Sequence, residues 1–85
     1  MIYAFKTNIC TWVICPNDLP SVPWDLRWYI DGDWEKSGAY TRPDIAADDV
    51  AHQATGFSEW DLLPFMKIPS EIADIGEWQK LRQYP

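Results

Sequence analysis

Residues 24 to 40 read WDLRWYIDGDWEKSGAY, and the way this stretch pairs with itself decides the fold. It holds three tryptophans, two tyrosines and four carboxylates around one Asp-Gly step, the signature of a β-hairpin turn flanked by aromatic strand residues. A two-residue Asp31-Gly32 turn pairs Ile30 with Asp33 and Trp28 with Glu35, which mixes apolar and acidic side chains on one face. A three-residue loop, Asp31-Gly32-Asp33, pairs Ile30 with Trp34 and Trp28 with Lys36. One face then carries Trp24, Leu26, Trp28, Ile30, Trp34 and Tyr40, and the other Asp25, Arg27, Tyr29, Glu35 and Ser37. A slip of one residue moves a strand's whole pattern to the opposite face, so segregation of polarity selects the three-residue loop. In that register Trp24, Trp28 and Trp34 form a wall of the core, leaving the Asp31-Gly32-Asp33 tip, Tyr29 and Glu35 free for recognition.

Upstream, Met1 to Cys15 (MIYAFKTNICTWVIC) is β-branched and aromatic and reads as strand, with Thr7-Asn8 as a turn or bulge that divides it. Around Trp12 both parities are apolar, the mark of a central strand covered on both sides. PNDLPSVP, residues 16 to 23, carries three prolines and reads as an irregular connection wrapping the sheet edge.

Downstream, Thr41 to Gly56 reads as a helix with Thr41 as cap, Pro43 in the first turn and Gly56 as the stop. Ala46, Val50, Ala54 and Phe57 form its inward stripe; Asp44, Asp48 and His52 form a wet one. In GFSEWDLLPF, residues 56 to 65, Ser58 and Asp61 fit a capping box, and Phe57, Trp60 and Leu63 or Leu62 recur at helical spacing. That stripe suits an anchor for a partner's groove. A chain with so little core has stronger need of it inside. From Ser70 to about Gln83, the series Ile72, Ile75, Trp78 and Leu81 predicts a last helix weakened by Gly76. The expectation is one compact α+β domain over residues 1–85, about 12 Å in radius of gyration. Its small antiparallel sheet is built from residues 2–15 and the hairpin 24–40, with helical segments from 42 to 83 on one face.

The 85 residues carry 13 acidic and 7 basic side chains, a net charge of −6. Eleven carboxylates against Lys36, Arg42 and Lys67 put a local balance of −8 between residues 31 and 77. That sign argues against direct binding to nucleic acid or an anionic membrane, and for a partner protein with a basic surface. Spread over about 30 Å, eight charges give about one per 4 Å, against one per about 1.7 Å of duplex axis. A literal duplex imitation is too dense for this chain, whereas competition for one Arg/Lys cluster is within reach.

Catalytic chemistry finds no kit. His52 is the only histidine, and Asp48 one turn earlier accounts for it as a surface pair. Asp44, Asp48 and His52 lack the nitrogen and sulfur of zinc sites, and the acidic tip Asp31, Asp33, Glu35 lacks the spacing of a calcium loop. No enzyme activity, cofactor or metal is expected. Cys10 and Cys15, the only cysteines, have an odd separation that points them to opposite faces of one strand and forbids a bridge; so few cysteines suit a reduced, cytoplasmic setting. No signal peptide is expected, because Lys6 interrupts the apolar first fifteen residues and no small-residue cleavage site follows, and no run of about 20 apolar residues occurs in the sequence.

The function expected is a non-enzymatic acidic binding protein that occupies a basic site on a partner, such as one that normally holds nucleic acid. Its contact residues are Tyr29, Asp31, Asp33, Glu35, Asp44, Asp48, Asp49, Glu59, Trp60 and Asp61. In composition the chain resembles the small acidic inhibitors carried by phages and plasmids, the anti-restriction and anti-CRISPR proteins. That resemblance implies inhibition of a host defence or nucleic-acid-processing complex. The rival readings are a sugar- or small-molecule-binding domain using tryptophan and aspartate, and an accessory subunit of a larger complex. Monomer and homodimer both fit, the latter through a hairpin edge guarded only by Lys36.

Overall fold

The computed structural model describes residues Met1–Pro85. Five antiparallel strands, β1 (Ile2–Lys6), β2 (Thr11–Pro16), β3 (Trp24–Ile30), β4 (Asp33–Tyr40) and β5 (Gln79–Leu81), form one sheet in the order β4-β3-β2-β1-β5. Helix α1 (Pro43–Ala51), the single turn α2 (Ser58–Asp61) and three 3₁₀ turns at Phe65–Lys67, Ser70–Ala73 and Ile75–Glu77 accompany it. The α+β class holds, and the radius of gyration is 11.8 Å.

Alternation along the strands sends Trp12, Ile14 and Leu26 into the larger core, where they meet Ala46, Ala47 and Val50 of α1, Phe57, Trp60, Ile72 and Trp78. Trp12 is its hub: its ring stands edge-on to Trp28 (6.0 Å between centroids), Phe57 (6.2 Å) and Trp60 (5.5 Å), while Trp28 stacks flat on Phe57 at 4.7 Å. Trp60 Nε1 donates to the Val50 carbonyl and Trp78 Nε1 to that of Ile72. Both indoles thus bury their area without leaving a donor unpaired. On the opposite face Ile2, Ala4, Val13, Cys15 and Tyr29 make a smaller cluster with Leu81 at its rim. Strand β2 is therefore covered on both sides, as its mixed parity implied. Cys10 faces the larger core and Cys15 the smaller, and both are free thiols.

The hairpin departs from expectation. Ile30 pairs with Asp33, Tyr29 with Trp34 and Trp28 with Glu35, so the loop is the two-residue Asp31-Gly32 turn. Asp31 (φ 51°) and Gly32 (φ 87°) are both left-handed, the backbone of a type I′ turn whose twist matches that of the strands it joins. This local preference overrides the segregation of polarity. Its side effect is repaired further on: Arg27 pairs with Lys36 but Leu26 with Gly38, a bulge at Ser37 that returns Tyr40 to the face of Trp24. Trp34, before the bulge, lands on the face of Tyr29 and Arg27. It is 46% exposed and does not belong to the core wall.

Other expected boundaries also move. The 17–23 connection joins neighbouring strands rather than wrapping the sheet edge: Asn17 Nδ2 donates to the Val22 carbonyl and its Oδ1 accepts from Leu19 N–H. Helix α1 starts after Arg42 with no side-chain cap, and Thr41 does not serve as one. It stops five residues before Gly56, because Gln53 turns left-handed (φ 57°) and Ala54 is exposed. Gln53 Nε2 donates to the carbonyls of Trp60, Asp61 and Leu63, which holds α2 against the helix end. The segment expected as a last helix is instead two 3₁₀ turns and β5. Ile72, Ile75 and Trp78 at spacing three match the three residues per turn of a 3₁₀ helix as well as one side of an α-helix, and Leu81 pairs with Ile2 in the sheet.

Candidate functional site

The acidic residues expected as contacts fall into three groups on this scaffold, at the β3–β4 turn, on α1 and at α2. Asp31, Asp33 and Glu35 are exposed around the β3–β4 turn and, with Trp28, Ile30 and Trp34, line a shallow cavity of about 310 Å³. Asp44 and Asp48 are exposed on α1. Asp44 is paired with Arg42 at 3.2 Å, and Asp48 lies 3.5 Å from His52 Nδ1, one turn along. Asp49, half-buried between them and the sheet, accepts the Tyr40 hydroxyl at 2.7 Å. Burial, reinforced by that bond and by the Asp49 charge, pushes the Tyr40 phenol well above its usual range. Asp49 thus ties β4 to α1 as well as adding charge.

Two of the expected contact residues are not available to a partner. Trp60 is 1% exposed at the centre of the larger core, and Tyr29 is buried beneath Trp34, 6.2 Å between ring centroids. A third, Asp61, is occupied. Its carboxylate accepts the Thr55 N–H, the Thr55 hydroxyl at 2.7 Å and the Gly56 N–H at 2.8 Å. It therefore closes the 55–61 loop in place of the capping box with Ser58, whose side chain makes no cap bond to α2. Glu59 remains exposed.

Three of the seven positive charges are spent on ion pairs with carboxylates. Asp25, buried on the smaller-cluster face, draws two of them: Arg27 Nη2 and Lys36 Nζ each lie 3.3 Å from it, and Asn17 Nδ2 donates at 2.8 Å. Burial alone would raise the Asp25 pKa, but the bonds from Asn17, Lys36 and Arg27 outweigh it and hold the carboxyl below its ordinary value. Arg27 also lies 3.8 Å from the Trp34 ring centroid and 5.6 Å from that of Tyr84. With Arg42 on Asp44, these three cations serve two carboxylates, and Asp18, Asp31, Asp33, Glu35, Asp48, Glu59, Glu71, Asp74 and Glu77 stand exposed without a Lys or Arg partner.

Beside Glu59 the chain presents an apolar knob that the sequence reading did not isolate. Leu62, Phe65 and Met66 are 83%, 78% and 87% exposed. The GFSEWDLLPF stripe splits: Phe57 and Trp60 face inward, Leu62 and Phe65 outward. Pro64 was the available signal, since it ends the helical spacing and turns the next residues away from the core. His52 is exposed while both thiols are buried, so the histidine meets neither cysteine. No three His, Cys, Asp or Glu side chains converge as metal ligands would, and no helix is long and apolar enough to cross a membrane.

Comparison with protein-family models, with curated proteins and with solved structures finds no match for this chain.

Proposed function

We propose that the protein is a non-enzymatic binding protein whose acidic surface occupies a basic site on a partner protein. The observation that carries this reading is the uncompensated charge: nine exposed carboxylates have no Lys or Arg partner, while Asp25 takes two cations and Asp44 a third. Exposed carboxylates without local partners project a field that steers a cationic surface toward them. The knob of Leu62, Phe65 and Met66 supplies what charge alone lacks, a desolvating anchor beside Glu59. Inhibition of a host defence or nucleic-acid-processing complex, through an Arg/Lys cluster that ordinarily contacts phosphate, is the role in which such a surface has most use.

The test is affinity capture from the lysate of the source cell with wild-type protein, Asp48→Lys and Phe65→Ala. Capture of a basic protein at low salt, reduced by both substitutions, supports the proposal. Capture unaffected by either would remove its basis. A second reading, sugar or small-molecule binding, is favoured by one feature, the hairpin cavity that combines Trp28 and Trp34 with Asp31, Asp33 and Glu35. Oligosaccharide quenching or shifting the emission of Trp34 would support it over the first.

A further inference from the structure

A second cleft, of about 450 Å³, lies between the β1–β2 turn and the loop that follows α2. Its polar lining has the opposite sign to the rest of the molecule. Lys6 and Lys67 stand on its two walls and no carboxylate lines it, in a chain where acids outnumber bases 13 to 7. Neither ammonium is paired with a carboxylate anywhere in the structure. Ile9, Leu63, Pro64 and Pro69 supply apolar surface, with the buried Trp60 ring behind them.

Both walls are locked by side-chain knots. In the turn, Thr7 Oγ1 donates to the Cys10 carbonyl at 2.7 Å and accepts the N–H groups of Ile9 and Cys10 at 3.2 and 3.1 Å. Across the cleft, Gln53 Nε2 holds the carbonyls of Trp60 and Leu63 at 2.9 and 2.8 Å, and Pro64 stiffens the next step. A cleft fixed from both sides needs little ordering on binding, and its volume falls in the range of small-molecule sites.

We infer that this cleft binds a small amphipathic carboxylate, its head between Lys6 and Lys67 and its apolar body against Ile9, Leu63, Pro64 and Pro69. A single negative charge suits two compact ammonium groups. The net charge of −6 works against a multiply charged ligand. This inference does not rest on the acidic partner surface, since neither lysine belongs to it, although the loop that forms one wall of the cleft also carries Leu62, Phe65 and Met66.

The experiment is titration of the ¹⁵N-labelled protein with octanoate, with octyltrimethylammonium (same body, opposite charge) and with acetate (head without body). Octanoate is expected to shift the amides of residues 7–9, 63 and 65–67 saturably, acetate and the cation not to. The double variant Lys6→Gln/Lys67→Gln, at two exposed side chains that make no hydrogen bond or ion pair in the fold, is expected to lose about tenfold or more in affinity. Saturable binding of acetate alone would reassign the cleft to a bare anion and overturn the amphipathic ligand. Absence of octanoate shifts there, equal binding of the cation, or unchanged affinity in the folded double variant would overturn the site itself.

Discussion

Asp61 was expected on the recognition surface and is instead a structural clasp, a reassignment that Asp61→Ala tests quantitatively. Its carboxylate is the acceptor for two donors of buried Thr55, the N–H and the hydroxyl, and for the N–H of exposed Gly56. Water can replace the acceptor at Gly56. At Thr55 it cannot without opening the loop, and leaving a buried donor unpaired costs about 1–3 kcal/mol. Two such donors, partly relieved by local relaxation, put the loss at about 3 kcal/mol, which for a domain of this size lowers Tm by roughly 12–24 °C. Urea unfolding monitored by tryptophan emission measures it, with Asp48→Ala, an exposed α1 position, as a control expected within about 0.5 kcal/mol of wild type. Asp61→Asn, which keeps one acceptor oxygen, should fall between. If Asp61→Ala matches the Asp48→Ala control, the clasp carries no stability and Asp61 returns to the list of residues free for a partner.

Gly32→Ala should destabilise by about 1–2 kcal/mol through backbone strain alone, since the turn needs φ 87° there and an added Cβ meets nothing within 4 Å; a neutral result in urea denaturation would contradict the type I′ turn. Asp25 has a folded-state pKa below its unfolded value, so its stabilisation is complete above the unfolded carboxylate range, about pH 4, and is lost as pH falls through the folded value. Urea midpoints of wild type and Asp25→Asn should therefore converge as the pH is taken below that range, and a gap that persists at the acid end would refute the assignment. Cys10 is pushed up to about 12, chiefly by burial with the Glu59 charge adding and the Thr7 bond opposing, and burial raises Cys15 as well. A thiol-disulfide reagent at mildly alkaline pH should thus label neither thiol quickly until urea unfolds the chain, and rapid labelling of the native protein would show the sheet to be open.

The sheet's centre was readable because its physics is local: Trp12 to Cys15 is apolar at both parities, and only a strand covered on both faces tolerates that. The core of α1 was readable from Ala46 and Val50. The hairpin register was not, because the polarity argument weighed every side chain equally, whereas the Asp31-Gly32 turn sets the twist and the Ser37 bulge then corrects the faces downstream. Without the turn conformation, nothing pointed to Trp34 stacking on Arg27. Ile72, Ile75 and Trp78 misled for a related reason, since a spacing of three suits two kinds of helix and the sequence does not announce a three-residue strand at the sheet's second edge. The candidate surface was legible in its charge and not in its anchors. Core economy placed the stripe of Phe57, Trp60 and Leu63 or Leu62 inside, and this holds for Phe57 and Trp60 but not for Leu62.

The most direct test of the acidic-surface account is the affinity of the purified protein for its captured basic partner, measured by calorimetry across a salt series. The account predicts that affinity falls steadily as salt rises and that Asp48→Lys both weakens binding and flattens the dependence. An affinity indifferent to salt, with Asp48→Lys binding as wild type, would contradict it.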